Sequence, residues 1–360
     1  MTHPGFLEGI RVVDLSQYVP GPFATRQLAD LGADVIKIEP PNGDPMRKFM
    51  ATDSAQVSPI YRHVNRGKRI ARIDLKSKDG LDRIKALLAD ADILLESFRP
   101  GTLERLGLDR QTLKSINPIL IHCALSGYGQ TGPYRDRGGH DINYIAAASG
   151  LSLQGTSKRP VMIYPPLADH AGAMQASTLI LAALAGRYKS GKGSYIDVSL
   201  FESALSWQYL AILNPDSKRA QAELNGGSAS YNIYECSDGR FFSIGAIEPH
   251  FWQRFCEALG RADWIERKLD DLPQTSLISE VSSWVKKKAL AEWEKMLEGV
   301  DCCFEPLCEL NQLSQHPQIA DRQALDDFGP TYPARINDDP YSVDNKFNEV
   351  ESIAWRDRNP

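Results

Sequence analysis

Three ionisable residues are of types that could act together: His140 in the run GGHDINY, Asp169 in PPLADHAGAM and Glu248 in GAIEPHFW. An imidazole and two carboxylates gathered in one small site can move protons on and off carbon, one group serving as base while another serves as acid. Taken singly, each also has a plain structural explanation. Asp169 opens the longest apolar helical stretch (169–188) and reads as an N-cap that accepts backbone N–H bonds. Glu248 precedes Pro249 and a helical run, where a negative charge suits the first turn. His140 follows Gly138 and Gly139, which lack side chains and so let backbone or ligand approach closely. Capping and catalysis are compatible, since a carboxylate at a helix N-terminus still exchanges protons.

A second group of candidates is basic. Arg62, Arg66, Lys68, Arg69 and Arg72 gather beside one predicted strand, and Arg99 and Arg105 in SFRPGTLERLG follow the next. The formal net charge is −5, so no global field draws nucleic acid or an anionic membrane, and an anionic ligand must be met locally. Basic residues at strand ends are candidates for phosphate contacts, with a solvated charged face as the alternative. Phe98 is placed to stack on an adenine. The six cysteines, Cys123, Cys236, Cys256, Cys302, Cys303 and Cys308, show neither CxxC pairing nor zinc-ligand spacing, which points to a reduced, cytoplasmic protein. The N-terminal stretch lacks a signal-peptide pattern, and no apolar run reaches the roughly 18 residues of a membrane span, so no membrane insertion is expected.

These side chains must be positioned by the elements between them. A chain of 360 residues suggests two domains. IRVVDLS (10–16) reads as a buried strand, PFATRQLADLG (22–32) as an amphipathic helix and ADVIKIE (33–39) as a second strand. KRIARIDL (68–75), DILLESF (92–98) and PILIHCALSGYG (118–129) read as further strands, with a helix at 79–91. This alternation predicts a doubly wound, Rossmann-like parallel sheet with ligands at the carboxyl ends of its strands. The loop SQYVPGPFATRQ contains no GxGxxG, which argues against a dinucleotide, and its Pro20, Gly21 and Pro22 read as a rigid corner. GSYIDVSL predicts another strand and FESALSWQYLAIL a helix. Beyond a polar linker, YNIYECSDGRFFSIGAI reads as a hairpin about Ser237, Asp238 and Gly239, followed by helices near 250–259, 276–287 and 289–299. The expected organisation is a large α/β domain (1–212), a linker (213–229), a smaller α+β domain (230–320) and a C-terminal segment (321–360) returning over the large domain.

Several segments, in this order, resemble the family III CoA-transferases: GIRVVDLSQYVPGPFATRQLADLGADVIKIEPP, NRGKRIARIDLKS, SFRPGTLERLGLD, SGYGQTGPYRDRGGHDINY, SGKGSYIDVSLFES and YECSDGRFFSIGAIEPHFW. GHDINY and GAIEP are similar to the family's racemase branch, whereas LADHAGAMQAS is closer to its transferase pattern. The resemblance implies an acyl-CoA substrate, with CoA recognised by Leu75, Lys76, Ser97, Phe98, Arg99, Arg105, His140, Asp141 and Tyr144. Relatives often carry an arginine where this chain has Pro40, so nucleotide contacts are expected either to be weaker or to come from Lys37 or Arg66.

For the racemase branch the resemblance implies interconversion of (R)- and (S)-2-methyl-branched acyl-CoA thioesters through an enolate. His140 with Glu248 would exchange the α-proton on one face and Asp169 on the other, with no cofactor or metal beyond the CoA of the substrate. For the transferase branch it implies Asp169 as a nucleophile that forms an anhydride and passes CoA between carboxylic acids. The family also implies an interlocked homodimer whose active site lies between the large domain of one subunit and the small domain of the other, which would place Glu248 in trans.

Overall fold

The computed structural model describes residues 5–50, 52–53, 56–341, 343–351 and 353–357. Packing divides the chain into two units: residues 1–148, 164–207 and 317–360 form the first, and residues 149–163 and 208–316 the second. The stretch 149–163 thus packs with the second unit, although it falls inside the continuous 1–212 domain expected from the sequence.

The first unit is built on a parallel sheet. Its strands β1 (Arg11–Leu15), β2 (Asp34–Glu39), β3 (Arg69–Arg72), β4 (Ile93–Glu96), β5 (Ile121–Ser126) and β6 (Ser194–Ser199) lie in the order β3-β2-β1-β4-β5-β6. Runs such as VVDL and ILLE are buried throughout, as a parallel sheet covered on both faces requires. The C-terminal segment supplies one more strand, Asn348–Glu349, which pairs in parallel with β3 and is too short to show a period in sequence. Helix α1 (Pro20–Asp30) follows β1, and its opening PGP fits a first turn in which proline's missing N–H costs nothing.

The strand order reverses between β1 and β4, and this opens a crevice at their carboxyl ends. The backbone N–H of Gln17, just after β1, donates to Ser97 Oγ, just after β4, at 3.0 Å and ties its two rims together. Helix α2 (Asp141–Ala147) starts at the end of the long loop after β5, and helix α3 (Leu167–Ser190) packs on both α1 and the helix Leu200–Ser206.

The second unit has a three-stranded antiparallel sheet in the order Phe304–Pro306, Phe241–Gly245, Tyr231–Glu235, with helices Pro249–Ala258, Thr275–Val285 and Leu290–Leu297. The turn between Tyr231–Glu235 and Phe241–Gly245 carries Gly239 in the left-handed region (φ 78°), as the predicted hairpin needs. Trp252, Trp264, Trp293, Phe242 and Phe255 fill its core. The single helix expected over FESALSWQYLAIL is instead two short ones, Leu200–Ser206 and Tyr209–Ile212, because the chain passes from the first unit to the second at Trp207 and Gln208. Among the described residues no helix is long and apolar enough to cross a membrane.

Beneath the crevice lies a fully buried ionic network. Lys68 Nζ pairs with Asp14 Oδ2 at 3.1 Å and also donates to Pro22 O and Asn65 Oδ1. Burial alone would raise the Asp14 carboxyl, but Lys68 and Lys37, with the hydroxyls of Ser16 and Thr25, outweigh it and hold Asp14 below the ordinary carboxylate range. Burial, only partly offset by Asp14, pulls Lys68 down. Removing one partner strands a charge in a medium that cannot solvate it. Lys68→Met is therefore expected to cost roughly 3–5 kcal/mol, and Asp14→Leu combined with Lys68→Met to recover most of that loss. Denaturant melts of the two variants check this, and equal losses would refute it.

Candidate active site

His140 and Asp169 both belong to the first unit; Glu248 belongs to the second. His140 is the N-cap residue of α2 and is exposed. Its N–H donates to Asn143 Oδ1 at 3.0 Å and its carbonyl accepts from the Asn143 N–H at 2.8 Å, so the backbone at this position is held from both sides. The His140 ring meets the Tyr18 ring edge-on, with centroids 6.3 Å apart.

Asp169 is not the N-cap that the sequence suggested. That position is Pro166, and Asp169 is the third residue of α3. Helix formation begins earlier because Pro166 loses nothing as a cap: it has no N–H to satisfy, and its carbonyl accepts from the His170 N–H at 3.4 Å. The consequence is that the Asp169 carboxyl is not spent on capping. Its own N–H instead donates to Asp141 Oδ1 at 3.0 Å, joining the start of α3 to the start of α2. Asp141, placed by family resemblance among the CoA contacts, is therefore also the partner of Asp169, a pairing with no spacing signature because 28 residues separate them. Burial first, and then the negative charge of Asp141, push the Asp169 carboxyl up to about 7.

Tyr144 completes this corner. It is buried, its hydroxyl donates to Gly139 O at 2.5 Å, and it packs edge-on against Tyr128. A Cβ at Gly127 would stand 2.5 Å from the Tyr144 hydroxyl and one at Gly139 2.9 Å from its ring, so both glycines are needed for this close approach. Tyr144 thus shapes the loop that carries His140. Burial and the neighbouring Asp169 push its phenol up to about 12.

The remaining expected contacts line successive strand ends. Leu75 follows β3, and Leu75 and Phe98 lie against one apolar cluster that includes Leu15, Ile38 and Leu94. Lys76 is exposed, its N–H donating to Asp74 Oδ1. Ser97 Oγ is engaged by Gln17, and Arg99 is exposed, with a nitrogen 3.3 Å from where a Gly138 Cβ would sit. Arg105 is exposed and bonded to Thr102 Oγ1. The chain thus brings Arg99, Gly138, Gly139, His140, Asp141, Tyr144 and Asp169 into one neighbourhood.

The basic cluster beside β3 fares differently. Arg62 pairs with Asp53 at 2.6 Å, Arg66 with Asp30 at 3.3 Å, Lys68 with Asp14 at 3.1 Å and Arg69 with Asp34 at 2.6 Å, leaving Arg72 as the exposed member. Lys37 and Arg66, expected to replace the missing arginine at Pro40, are both buried: Lys37 is held by Ser16 O at 2.7 Å and Asp44 at 3.0 Å. Neither is presented to a ligand. Among the described residues no His, Cys, Asp or Glu cluster could hold a metal ion.

A doubly wound sheet and a partly buried carboxyl raised toward neutrality describe the site, and comparison with known proteins defines the family. The chain belongs to CoA-transferase family III, whose model matches residues 7–350. It is 34% identical over 339 residues to the alpha-methylacyl-CoA racemase of Mus musculus, covering 91% of this chain and 84% of that protein. It is also 32% identical over 325 residues to the (R)-2-hydroxy-4-methylpentanoate CoA-transferase of Clostridioides difficile, covering 84% of this chain and 80% of that one. Among solved structures, a CAIB/BAIF family protein from Brucella suis matches with a TM-score of 0.82 and 29% identity over 94% of each chain.

The Asp169 carboxyl should leave a signature in stability. Between the unfolded value of 3.8 and the folded value of about 7, the native state keeps a proton that the unfolded chain has released, so stability falls as pH rises through this window. Asp169→Asn removes that loss. The variant is expected to match the wild type at pH 3 and to exceed it by roughly 2–4 kcal/mol at pH 8 while losing activity. Melts at the two pH values check it, and a variant less stable at pH 8 would contradict the assignment.

Proposed function

We propose that the protein is a racemase that interconverts (R)- and (S)-2-methyl-branched acyl-CoA thioesters by α-proton exchange through an enolate. The observation that carries this reading is geometric: the Asp169 N–H bond to Asp141 brings Asp169 beside the helix start that bears His140, and burial with Asp141 raises its carboxyl to about 7. A two-base racemase needs this residue ionised to attack one epimer and protonated to complete the other, and a group titrating near neutrality supplies both forms at comparable populations. A nucleophilic aspartate in a CoA-transferase needs only the ionised form.

In this reading Asp169 works on one face of the α-carbon and His140 on the other. Glu248 supports the histidine side, in trans if the chain forms an interlocked homodimer. The CoA moiety enters with the substrate and is held by Leu75, Lys76, Ser97, Phe98, Arg99, Arg105 and Asp141, with Tyr144 shaping the loop; no resident cofactor is invoked. The enolate oxygen needs donors, and the N–H groups at the start of α3 are suited to the role because no carbonyl precedes them within the helix. Since the Asp169 N–H is taken by Asp141, the proposal assigns those of Leu167 and Ala168.

Incubating one epimer of a 2-methylacyl-CoA in D2O, with and without a free carboxylate acceptor, tests the reading. Deuterium uptake at the α-carbon with loss of stereochemical purity, independent of acceptor, is the expected result. His140→Ala should slow exchange from one epimer roughly 100-fold or more while the other is far less affected. CoA appearing on the acceptor without α-exchange would instead establish the transferase reading.

A further inference from the structure

The loop SQYVPGP reads in sequence as a rigid corner, yet its least expected feature is Tyr18. This residue sits in the left-handed region at φ 63°, which a bulky side chain adopts only when its surroundings over-determine it. The Ser16–Gln17 peptide that precedes it is tied down at both of its polar groups. The Gln17 N–H is held by Ser97 Oγ at 3.0 Å, and Ser16 O accepts from the buried Lys37 ammonium at 2.7 Å. The same ammonium pairs with the buried Asp44 carboxylate at 3.0 Å, and the other oxygen of Asp44 accepts from Tyr18's own N–H at 3.4 Å and from Met46 N at 2.9 Å. A strained backbone is thus clamped by an ion pair that reaches no solvent.

That clamp determines where the side chain goes. Tyr18 is 46% exposed, so its ring is not held in place as part of the core. It stands against the His140 imidazole, centroids 6.3 Å apart and planes at 79°. The Asn143 bonds fix the backbone of His140 but leave the two side-chain torsions of the imidazole to packing. We propose that Tyr18 is a positioning residue for His140: its left-handed backbone, clamped by Lys37 and Asp44, aims the phenol ring so that it holds the imidazole in the orientation needed for proton exchange at the substrate's α-carbon. The inference rests on the reading of His140 as an exchanging base. Tyr18 itself takes no proton and touches no reacting atom.

The test uses Tyr18→Gly and Tyr18→Phe in the full-length protein. Glycine removes the ring and adopts φ 63° without strain, so the variant should melt no lower than the wild type, which separates loss of positioning from loss of fold. With single-epimer 2-methylacyl-CoA in D2O, the maximal rate of exchange from the epimer that His140 deprotonates should fall roughly three- to tenfold, the range expected from losing one edge-to-face aromatic contact. KM and exchange from the opposite epimer should hold. Tyr18→Phe keeps the ring and should restore the rate. Independently of activity, the His140 C2–H proton resonance, assigned by its absence in His140→Gln, should lose a ring-current shift in Tyr18→Gly and regain it in Tyr18→Phe.

Equal slowing from both epimers, or a change in KM alone, would mean that Tyr18 shapes substrate binding and would overturn the proposal. An unchanged His140 resonance in Tyr18→Gly would overturn it too. Should the wild type show no exchange at all, the racemase reading falls, and the His140 resonance alone decides the positioning role.

Discussion

The hydrogen bond from the Asp169 N–H to the Asp141 carboxylate is the contact on which the site depends. It joins the first turns of α2 and α3, which also pack against each other, and so ties the loop bearing His140 to the helix bearing Asp169. The same contact has an electrostatic consequence. Burial already disfavours a charge on Asp169, and the negative charge of the neighbouring Asp141 disfavours it further. The contact that sets the geometry thus also adds to the effect of burial, and together they raise the Asp169 carboxyl to about 7.

Below that rim the requirement is rigidity. The crevice at the carboxyl ends of β1 and β4 is floored by Asp14, Lys68, Lys37 and Asp44, all buried, and Gln17 and Ser97 tie its walls. Such a network is a poor source of net stability, since each charge surrenders its hydration. What it provides is directional bonding to backbone atoms, to Ser16 O, Pro22 O and the Tyr18 N–H, which apolar packing cannot supply. Lysines that resemble ligand contacts in a strand-end motif are in this fold spent on holding the loops at the mouth of the crevice.

Much of the fold could be read in advance because its signals are local. The period change from VVDL to TRQLADLG and back to DVIKIE marks a βαβ unit whatever surrounds it, and Ser237, Asp238 and Gly239 mark a hairpin. The readings that differ are those in which distant chain decides. FESALSWQYLAIL has a continuous helical pattern, but the passage between units interrupts it at Trp207 and Gln208. Asp169 has the composition of an N-cap, but Pro166 starts the helix first. Arg62, Arg66, Lys68 and Arg69 look like a phosphate-binding group until Asp53, Asp30, Asp14 and Asp34, all remote in sequence except Asp53, arrive beside them.

By itself the sequence determined the strand and helix succession, the family through its ordered motifs, and the identity of His140, Asp169 and Glu248 as ionisable candidates. These follow from residue type and short-range period, which survive in a one-dimensional string. The tertiary structure alone decided that Asp141 pairs with Asp169, that the carboxyl of Asp169 is raised, that Lys37 and Arg66 face inward, and that Tyr18 stands against His140. Each of these is a matter of desolvation or of contact between residues far apart in the chain. Proton affinity belongs to an environment, and the environment exists only once the chain has folded.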